Sequence, residues 1–83
     1  NMRLDKYLKV SRIIKRRTVA NEACDAGRVV VNGKIARASY DVKVDDVIEL
    51  TLGARTVKAR VVSVNEYAKK DEAAMMYEII EEK

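Results

Sequence analysis

The sequence predicts a small α+β fold, with two short N-terminal helices packed on a small antiparallel sheet and a short helix near the C-terminal end. Apolar residues recur at helical spacing over residues 3–26, whereas β-branched residues dominate from Val29 onward. Between two β-branched runs stands Asn32-Gly33, the strongest local signal for a hairpin. The 83 residues suffice for one domain, which we expect to span residues 2–83 from a natural start at Met2.

Two helices are predicted in the first part of the chain. The first covers residues 3–10, where apolar side chains fall at positions i, i+3 and i+4. A turn at residues 11–14 follows, and its two isoleucines are expected to reach the core. The second helix covers about residues 17–26, and Gly27 stands where a helix C-terminus favours the left-handed conformation.

The rest of the chain is predicted to be mostly strands, because β-branched runs alternate with turn residues. The expected strands are residues 28–31, 34–36, 41–44, 47–52 and 56–64. Besides Asn32-Gly33, turns are expected at Asp45-Asp46 and Gly53-Ala54. A short helix is expected at residues 71–77 and a final strand at residues 78–80.

The composition excludes several kinds of site. The chain has no histidine, which excludes zinc sites, histidine-based triads and histidine general bases, and we predict no metal and no cofactor. The single cysteine, Cys24, cannot form an internal disulfide, so we expect a reduced, cytoplasmic protein. No apolar run approaches the ~20 residues of a membrane span, and no signal peptide is visible, so no membrane partner is expected.

An enzyme is disfavoured, because one small domain leaves no room for a catalytic domain beside a binding domain. The remaining candidate groups are Asp5, Asp45, Asp46 and Cys24. Asp45-Asp46 is more simply a turn, and Cys24 is more simply a small core residue. We therefore predict a binding protein.

The charge distribution indicates a polyanion partner. The net charge is +4, but residues 1–40 carry +7 and residues 41–83 carry −3. Four cations crowd into residues 11–18, just before the second helix: Arg12, Lys15, Arg16 and Arg17. Cations at a helix start oppose the helix dipole by roughly 0.3–1 kcal/mol each, so stability alone does not favour them there.

Phosphate explains this placement, because a helix start presents unpaired backbone N–H groups and a partial positive charge. Arg17 adds a guanidinium that can bind two phosphate oxygens, and Thr18 adds a hydroxyl donor. The alternatives are a solvated charged loop and a chance fluctuation of surface charge.

The first helix offers further cations beside its apolar stripe. If the two helices pack side by side, these can join the residue 15–17 cluster in one helical basic face, which comprises Arg3, Lys6, Lys9, Lys15, Arg16 and Arg17. Arg28 and Lys34 can extend this face from the hairpin. For Lys34, an ordinary exposed strand lysine is an equally good interpretation.

Several motifs together resemble a known RNA-binding family. They are Arg3-Leu4-Asp5-Lys6-x-Leu8, Arg17-Thr18-x-Ala20, Gly27-x-Val29-x-Val31-Asn32-Gly33, Val42-Lys43 and Asp46-x-Ile48. In order and spacing, residues 3–52 resemble the RNA-binding domain named after small-subunit ribosomal protein S-four, with residues 53–83 as a C-terminal extension. Residues 4–18 and 69–77 are similar to the stand-alone RqcP type, which acts in bacterial ribosome-associated quality control.

The resemblance implies an αL-like motif of two helices against a small sheet. It also implies binding to a large ribosomal subunit that carries an obstructed peptidyl-tRNA. The implied partners are large-subunit ribosomal RNA, peptidyl-tRNA and an RqcH-like factor that brings alanyl-tRNA for alanine tailing of the stalled chain. Off the ribosome we expect a monomer.

The expected RNA contacts combine the resemblance with the charge pattern. Carried over from the family, they are Arg3, Lys6, Arg12, Lys15, Arg16, Arg17 and Thr18, with Asp5 as an orienting partner. The charge pattern adds Lys9 and Arg28.

The chain departs from the family at two places. Val44-Asp45-Asp46 stands where Pro-Gly-Asp is common, so we expect a somewhat less stable turn. Arg16 stands where a small hydroxyl residue often precedes the second helix, which removes a cap of about 1 kcal/mol and adds charge.

Two other functions remain open. One is that of the related heat-shock protein fifteen, binding free large subunits that hold a nascent chain, without a role in tailing. The other is a protein-docking surface at Met75, Met76 and Tyr77, although core packing is the favoured interpretation of these residues. A separate interpretation of this end of the chain is that the acidic tail from Glu78 to Glu82 keeps the sheet side off RNA.

Overall fold

The computed structural model describes residues 2–83. Within that range, three helices span Leu4–Val10 (α1), Arg17–Asp25 (α2) and Lys70–Ala73 (α3). Seven strands span Met2–Arg3 (β1), Val29–Val31 (β2), Lys34–Ile35 (β3), Asp41–Val42 (β4), Val47–Leu52 (β5), Arg55–Val61 (β6) and Tyr77–Glu82 (β7). The predicted α+β class is confirmed.

Five of the strands form one antiparallel sheet in the order β3-β2-β5-β6-β7. The inner face of this sheet and the apolar faces of α1 and α2 share one core, which includes Tyr7, Leu8, Ala20, Ile48 and Leu50. Along β6 the buried residues alternate with half-exposed ones, as the period of a strand requires. The helices and the sheet therefore hold each other in place.

Strand β1 replaces the predicted start of the first helix. Met2 and Arg3 pair with Val42 and Asp41 of β4 in a separate two-stranded sheet. The backbone of Arg3 is extended, with φ −64° and ψ 146°, so the helix begins at Leu4. The prediction that the first helix includes Arg3 is therefore wrong, because pairing with a distant strand fixes the Arg3 backbone.

The predicted hairpin is confirmed. Asn32 and Gly33 have φ of +52° and +83°, the positive values that both central positions of a type I′ turn require. The register that follows places Val31 opposite Lys34. Strand β2 also pairs with β5, whereas β3 forms an edge of the sheet.

The end of α2 also follows its sequence signal. Gly27 has φ +74°, and its N–H donates to the carbonyl of Cys24 at 3.0 Å. The next N–H, of Arg28, donates to the carbonyl of Ala23 at 3.0 Å. These two bonds form a Schellman cap, in which a left-handed residue closes the helix. Cys24 is buried as predicted, and burial raises the pKa of its thiol to about 11.

The C-terminal elements differ from the prediction in length. Strand β6 ends at Val61 rather than at residue 64, because the N–H groups of Val62 and Ser63 donate to the carbonyl of Met76 instead. Helix α3 is a single turn, and the last strand runs to Glu82, beyond the predicted residues 78–80. Because α3 ends at Ala73, the chain returns to the sheet as β7 from Tyr77 onward.

The core prediction is correct for Met76, which is 1% exposed, and wrong for Met75, which is 73% exposed. Tyr77 is half-buried at the start of β7. None of the helices found in residues 2–83 has both the length and the apolar composition of a membrane-spanning segment. The same residues contain no group of three or more side chains arranged to hold a metal ion.

The turn before β5 is organised by a buried carboxylate. Asp45 takes φ +76°, and the N–H of Asp46 donates to the carbonyl of Lys43 at 3.1 Å. The Asp46 carboxylate accepts from Tyr40 Oη at 2.8 Å, Asn32 Nδ2 at 2.9 Å and the Lys43 N–H at 3.0 Å. Asp46 thus connects this turn to the hairpin turn.

Candidate nucleic-acid interface

The loop between α1 and α2 carries three of the predicted RNA-contact cations. It is anchored at Ile14, which is 6% exposed, while Arg12, Lys15 and Arg16 are exposed. Arg12 has φ +65°, an uncommon conformation for a residue other than glycine. Its N–H donates to the carbonyl of Lys9 at 3.0 Å, which closes the end of α1. Ile14 therefore fixes the loop to the core, while the cationic side chains on either side of it face solvent.

The start of α2 is open. Arg16 is the N-cap residue, its side chain makes no capping hydrogen bond, and the first turn contains no acidic residue. The first intrahelical bond runs from the Ala20 N–H to the Arg16 carbonyl at 3.1 Å. The N–H groups of Arg17, Thr18 and Val19 precede that bond and so have no partner within the helix. An anion is the natural ligand for these donors.

The start of α1 is different because other parts of the chain occupy it. The Leu4 N–H donates to the Tyr40 carbonyl at 2.8 Å, and the Asp5 N–H donates to the Ala38 carbonyl at 3.2 Å. The Lys6 N–H donates to Asp5 Oδ1 at 2.8 Å. Of these two helices, α2 alone presents free N-terminal donors.

Asp5 joins the two helices. Arg3 Nε lies 3.2 Å from Asp5 Oδ1, and Arg17 Nε lies 3.4 Å from Asp5 Oδ2. Asn21 Nδ2, one turn after Arg17, donates to the same Oδ2 at 3.1 Å. The Asp5 side chain is 3% exposed, whereas those of Arg3 and Arg17 are 52% and 49% exposed. A buried anion thus orients two outward guanidinium groups.

The charges in this cluster do not cancel. Burial by itself raises the pKa of Asp5, but hydrogen bonds from Asn21, Arg3, the Lys6 N–H and Arg17 outweigh burial and hold that pKa below its ordinary value of 3.8. The carboxylate is therefore ionised at neutral pH. One negative charge faces two guanidinium groups, so a net positive charge remains for a ligand.

Five other predicted contacts are free of ion pairs within residues 2–83. No carboxylate oxygen lies within 4.0 Å of the cationic nitrogens of Lys9, Arg12, Lys15, Arg16 and Arg28. All five side chains are exposed, as is Thr18. Lys6 differs, because its Nζ lies 3.4 Å from Glu66 Oε1. The structure brings Arg3 and Arg17 together at Asp5 and turns Lys6 toward an acidic neighbour.

The cations of β6 are placed very differently. Lys58 Nζ lies 3.5 Å from Glu49 Oε1. Arg60 Nη1 lies 2.6 Å from Asp45 Oδ1, and Arg60 Nη2 lies 3.2 Å from Glu78 Oε2. Arg55 pairs with Glu82. The C-terminal strands therefore neutralise their own cations, whereas the helical segment leaves most of its cations unpaired.

Two polar residues of the site were not predicted. Asn21 supports Asp5, and its only sequence signal is its position four residues after Arg17, on the same face of α2. Tyr40 supports the site through its carbonyl at the start of α1. A backbone acceptor from a distant loop leaves no mark in the sequence.

Comparisons with known proteins agree with the motif resemblance. The S4 domain family matches residues 2–48. A Streptococcus pneumoniae protein named RQC P-site tRNA stabilizing factor is 56% identical over 81 residues, or 98% of this chain and 92% of that protein. A Bacillus subtilis protein of the same name is 51% identical over 81 residues, covering 98% and 94% of the two chains.

A solved structure shares the fold. The trimeric structure of Vibrio cholerae Heat Shock Protein 15 has a TM-score of 0.86 and 28% identity, covering 94% of this chain and 80% of that one. The resemblance that the motifs indicated is confirmed. The chain belongs to the S4 domain family and, within it, to the group of small proteins named RQC P-site tRNA stabilizing factors.

Proposed function

We propose that this protein is a non-catalytic RNA-binding factor of bacterial ribosome-associated quality control, with the open start of α2 as its main phosphate site. The observation that carries this proposal is the free N-terminus of α2 amid exposed, unpaired cations. Phosphate contacts to Arg12, Lys15, Arg16, Arg17 and Thr18 satisfy the free N–H groups and offset the unfavourable helix-dipole interaction.

Arg3 and Arg17 bind RNA as a pair oriented by Asp5. A planar guanidinium held in one direction loses less side-chain entropy on binding than a free one, which favours affinity. Lys9 and Arg28 add longer-range attraction for the RNA phosphates. Lys6 binds phosphate as well, once its ion pair with Glu66 has opened. The helical basic face positions the protein on folded RNA by recognising the backbone and the shape of that RNA.

The partners that we propose are large-subunit ribosomal RNA and peptidyl-tRNA on an obstructed large subunit. Relatives at 56% and 51% identity carry the name RQC P-site tRNA stabilizing factor, which supports this assignment. In this role the protein holds the tRNA while an RqcH-like factor adds alanine to the stalled chain. It acts in the cytoplasm on the ribosome and is a monomer off it.

The test measures binding to purified large subunits, with and without peptidyl-tRNA, by co-sedimentation at several salt concentrations. Replacing Lys15 and Arg16 by alanine should weaken binding about tenfold or more and lower the salt slope by about two units, one for each lost phosphate contact. The matched control replaces Lys69 and Lys70, which are also adjacent, exposed and free of ion pairs in the described chain. Equal losses in both variants would contradict the site.

A heat-shock-type function is the second candidate, supported by the fold shared with Vibrio cholerae Heat Shock Protein 15. In that case the protein binds free large subunits that hold a nascent chain and plays no part in tailing. A reconstituted tailing reaction separates the two functions. Dependence of alanine addition on this protein supports the first function, and an unchanged tail length with intact subunit binding supports the second.

A further inference from the structure

A pocket of about 610 Å³ lies beside the β2–β3 hairpin, outside the helical basic face. Its lining includes Lys34, Ile35, Arg37, Ser39 and Tyr40. None of these residues belongs to the phosphate site proposed at the start of α2. The pocket therefore needs an explanation of its own.

The apolar part of this pocket is unusually accessible. Ile35 lies on the edge strand β3 and is 71% exposed, although it is a large aliphatic residue. Ala36 beside it is 7% exposed and belongs to the core. The pocket thus joins the hydrophobic core to an exposed aliphatic side chain, a surface against which a flat ring can pack.

The charged part of the pocket is cationic and unpaired. Lys34 and Arg37 are exposed, and within residues 2–83 no carboxylate lies within 4.0 Å of either cationic group. The nearby Asp46 is buried, and hydrogen bonds from Tyr40, Asn32 and the Lys43 N–H satisfy it. Among the residues that line the pocket, the charged ones are Lys34 and Arg37, so its rim complements an anion.

The backbone connects this pocket to the helical basic face. The Tyr40 carbonyl accepts from the Leu4 N–H at 2.8 Å, and the Ala38 carbonyl accepts from the Asp5 N–H at 3.2 Å. The loop that forms one wall of the pocket therefore abuts the turn of α1 that holds Asp5, and through it Arg3 and Arg17. RNA bound at these guanidinium groups can continue toward the pocket.

We propose that the hairpin pocket binds an unpaired nucleotide of RNA, with the base against Ile35 and the adjacent phosphates at Lys34 and Arg37. An accessible apolar surface beside two unpaired cations matches the chemistry of a single-stranded nucleotide, whose base face is apolar and whose backbone is anionic. Stacked bases inside a duplex cannot present that face. The inference rests on the proposed RNA-binding function and adds a single-strand subsite to it.

The experiment measures fluorescence anisotropy with two probes: a labelled oligouridylate of about 12 nucleotides, a length within the range of single-strand sites, and an RNA duplex of equal length. Replacing Lys34 and Arg37 by alanine should lower the salt slope for oligouridylate by about 1.4 units, at about 0.7 per phosphate contact. Ile35→Ser should weaken oligouridylate binding about fivefold, because it removes apolar surface that the bound base covers. Duplex affinity of the Ile35→Ser variant should stay within about twofold of wild type.

Two controls keep the result interpretable. The Lys69→Ala, Lys70→Ala variant removes the same charge elsewhere, and the Lys15→Ala, Arg16→Ala variant tests the phosphate site at α2. Because Ile35 is 71% exposed, Ile35→Ser should leave the urea midpoint of unfolding nearly unchanged, which excludes misfolding.

Specific outcomes overturn the proposal. If the pocket variants bind oligouridylate like wild type while the Lys15→Ala, Arg16→Ala variant loses RNA, the pocket assignment fails and the proposed function stands. If neither site affects either RNA probe and the Lys15→Ala, Arg16→Ala variant also binds large subunits like wild type, the proposed function itself fails. An equal loss in the Lys69→Ala, Lys70→Ala control assigns the effect to net charge.

Discussion

Asp5 and Arg17 connect the first helix to the start of the second, with Arg17 Nε 3.4 Å from Asp5 Oδ2. The two ends of this contact have opposite environments, since the Asp5 side chain is 3% exposed and that of Arg17 is 49% exposed. A buried acceptor fixes the direction of the guanidinium without covering it. Orientation and exposure together are what a binding arginine needs.

Asp5→Asn tests whether RNA affinity depends more on the orientation of the guanidinium groups than on the net charge of the protein. The substitution removes a charged acceptor shared by Arg3, Arg17 and Asn21, so the free energy of unfolding should fall by about 2 kcal/mol. RNA affinity should fall several-fold although the net charge rises by one, because the guanidinium groups lose their fixed direction. Urea unfolding and filter binding measure the two effects.

Glu22→Gln is the matched control for that substitution. Glu22 is exposed on α2 and makes no ion pair within residues 2–83, so the same change of charge alters no anchor. Its RNA affinity should rise slightly through long-range attraction. If Asp5→Asn also raises the affinity, Asp5 does not orient the arginines for RNA.

Stability should fall in acid because of Asp5 and Asp46. Burial alone raises the pKa of each carboxyl, but hydrogen bonds to the ionised forms hold both pKa values below 3.8 in the folded protein. The unfolded chain then binds protons more readily, so the stabilisation is complete above about pH 4–5 and is lost as pH falls through the folded pKa values. Urea unfolding between about pH 3 and 7 measures the slope. Asp46→Asn should flatten it, and an equally steep slope in that variant would contradict the assignment to Asp46.

The single substitution Arg16→Ser should both stabilise the fold and weaken RNA binding. Arg16 is the N-cap residue of α2 and makes no side-chain cap, whereas serine can accept a hydrogen bond from the first turn. The free energy of unfolding should rise by about 1 kcal/mol, and the salt slope of RNA binding should fall by about one unit. Thermal melts and titrations at several salt concentrations measure these effects. Arg16→Ala, which removes charge without adding a cap, should weaken binding without the gain in stability.

Asn32→Gly should destabilise the domain although glycine readily adopts the backbone conformation of this turn. Asn32 has φ +52°, which glycine adopts without strain, so backbone conformation does not oppose the change. The loss comes from two hydrogen bonds, Nδ2 to Asp46 at 2.9 Å and the Val47 N–H to Oδ1 at 2.9 Å. The free energy of unfolding should fall by about 1–3 kcal/mol. A variant as stable as wild type in urea would show that the link between the two turns contributes nothing.

Local signals predicted the elements whose geometry is local. Asn32-Gly33 specifies its own turn, and Gly27 closes α2 through bonds to residues only three and five positions earlier. Met75 and Met76 show the limit of such signals. Both are apolar and adjacent, yet one is 73% exposed and the other 1%, because α3 ends after one turn and the chain rejoins the sheet.

By itself, the sequence determined the α+β class, the hairpin, the basic segment before α2 and the lack of a side-chain cap there, since these depend on neighbouring residues. Only the tertiary structure decided that Met2–Arg3 pairs with Asp41–Val42, and that one buried carboxylate serves arginines 14 positions apart. It also decided which cations find acidic partners, as those of β6 do, and which stay free. Ion pairs and strand pairs depend on distances between remote residues, and those distances exist only after the core has packed.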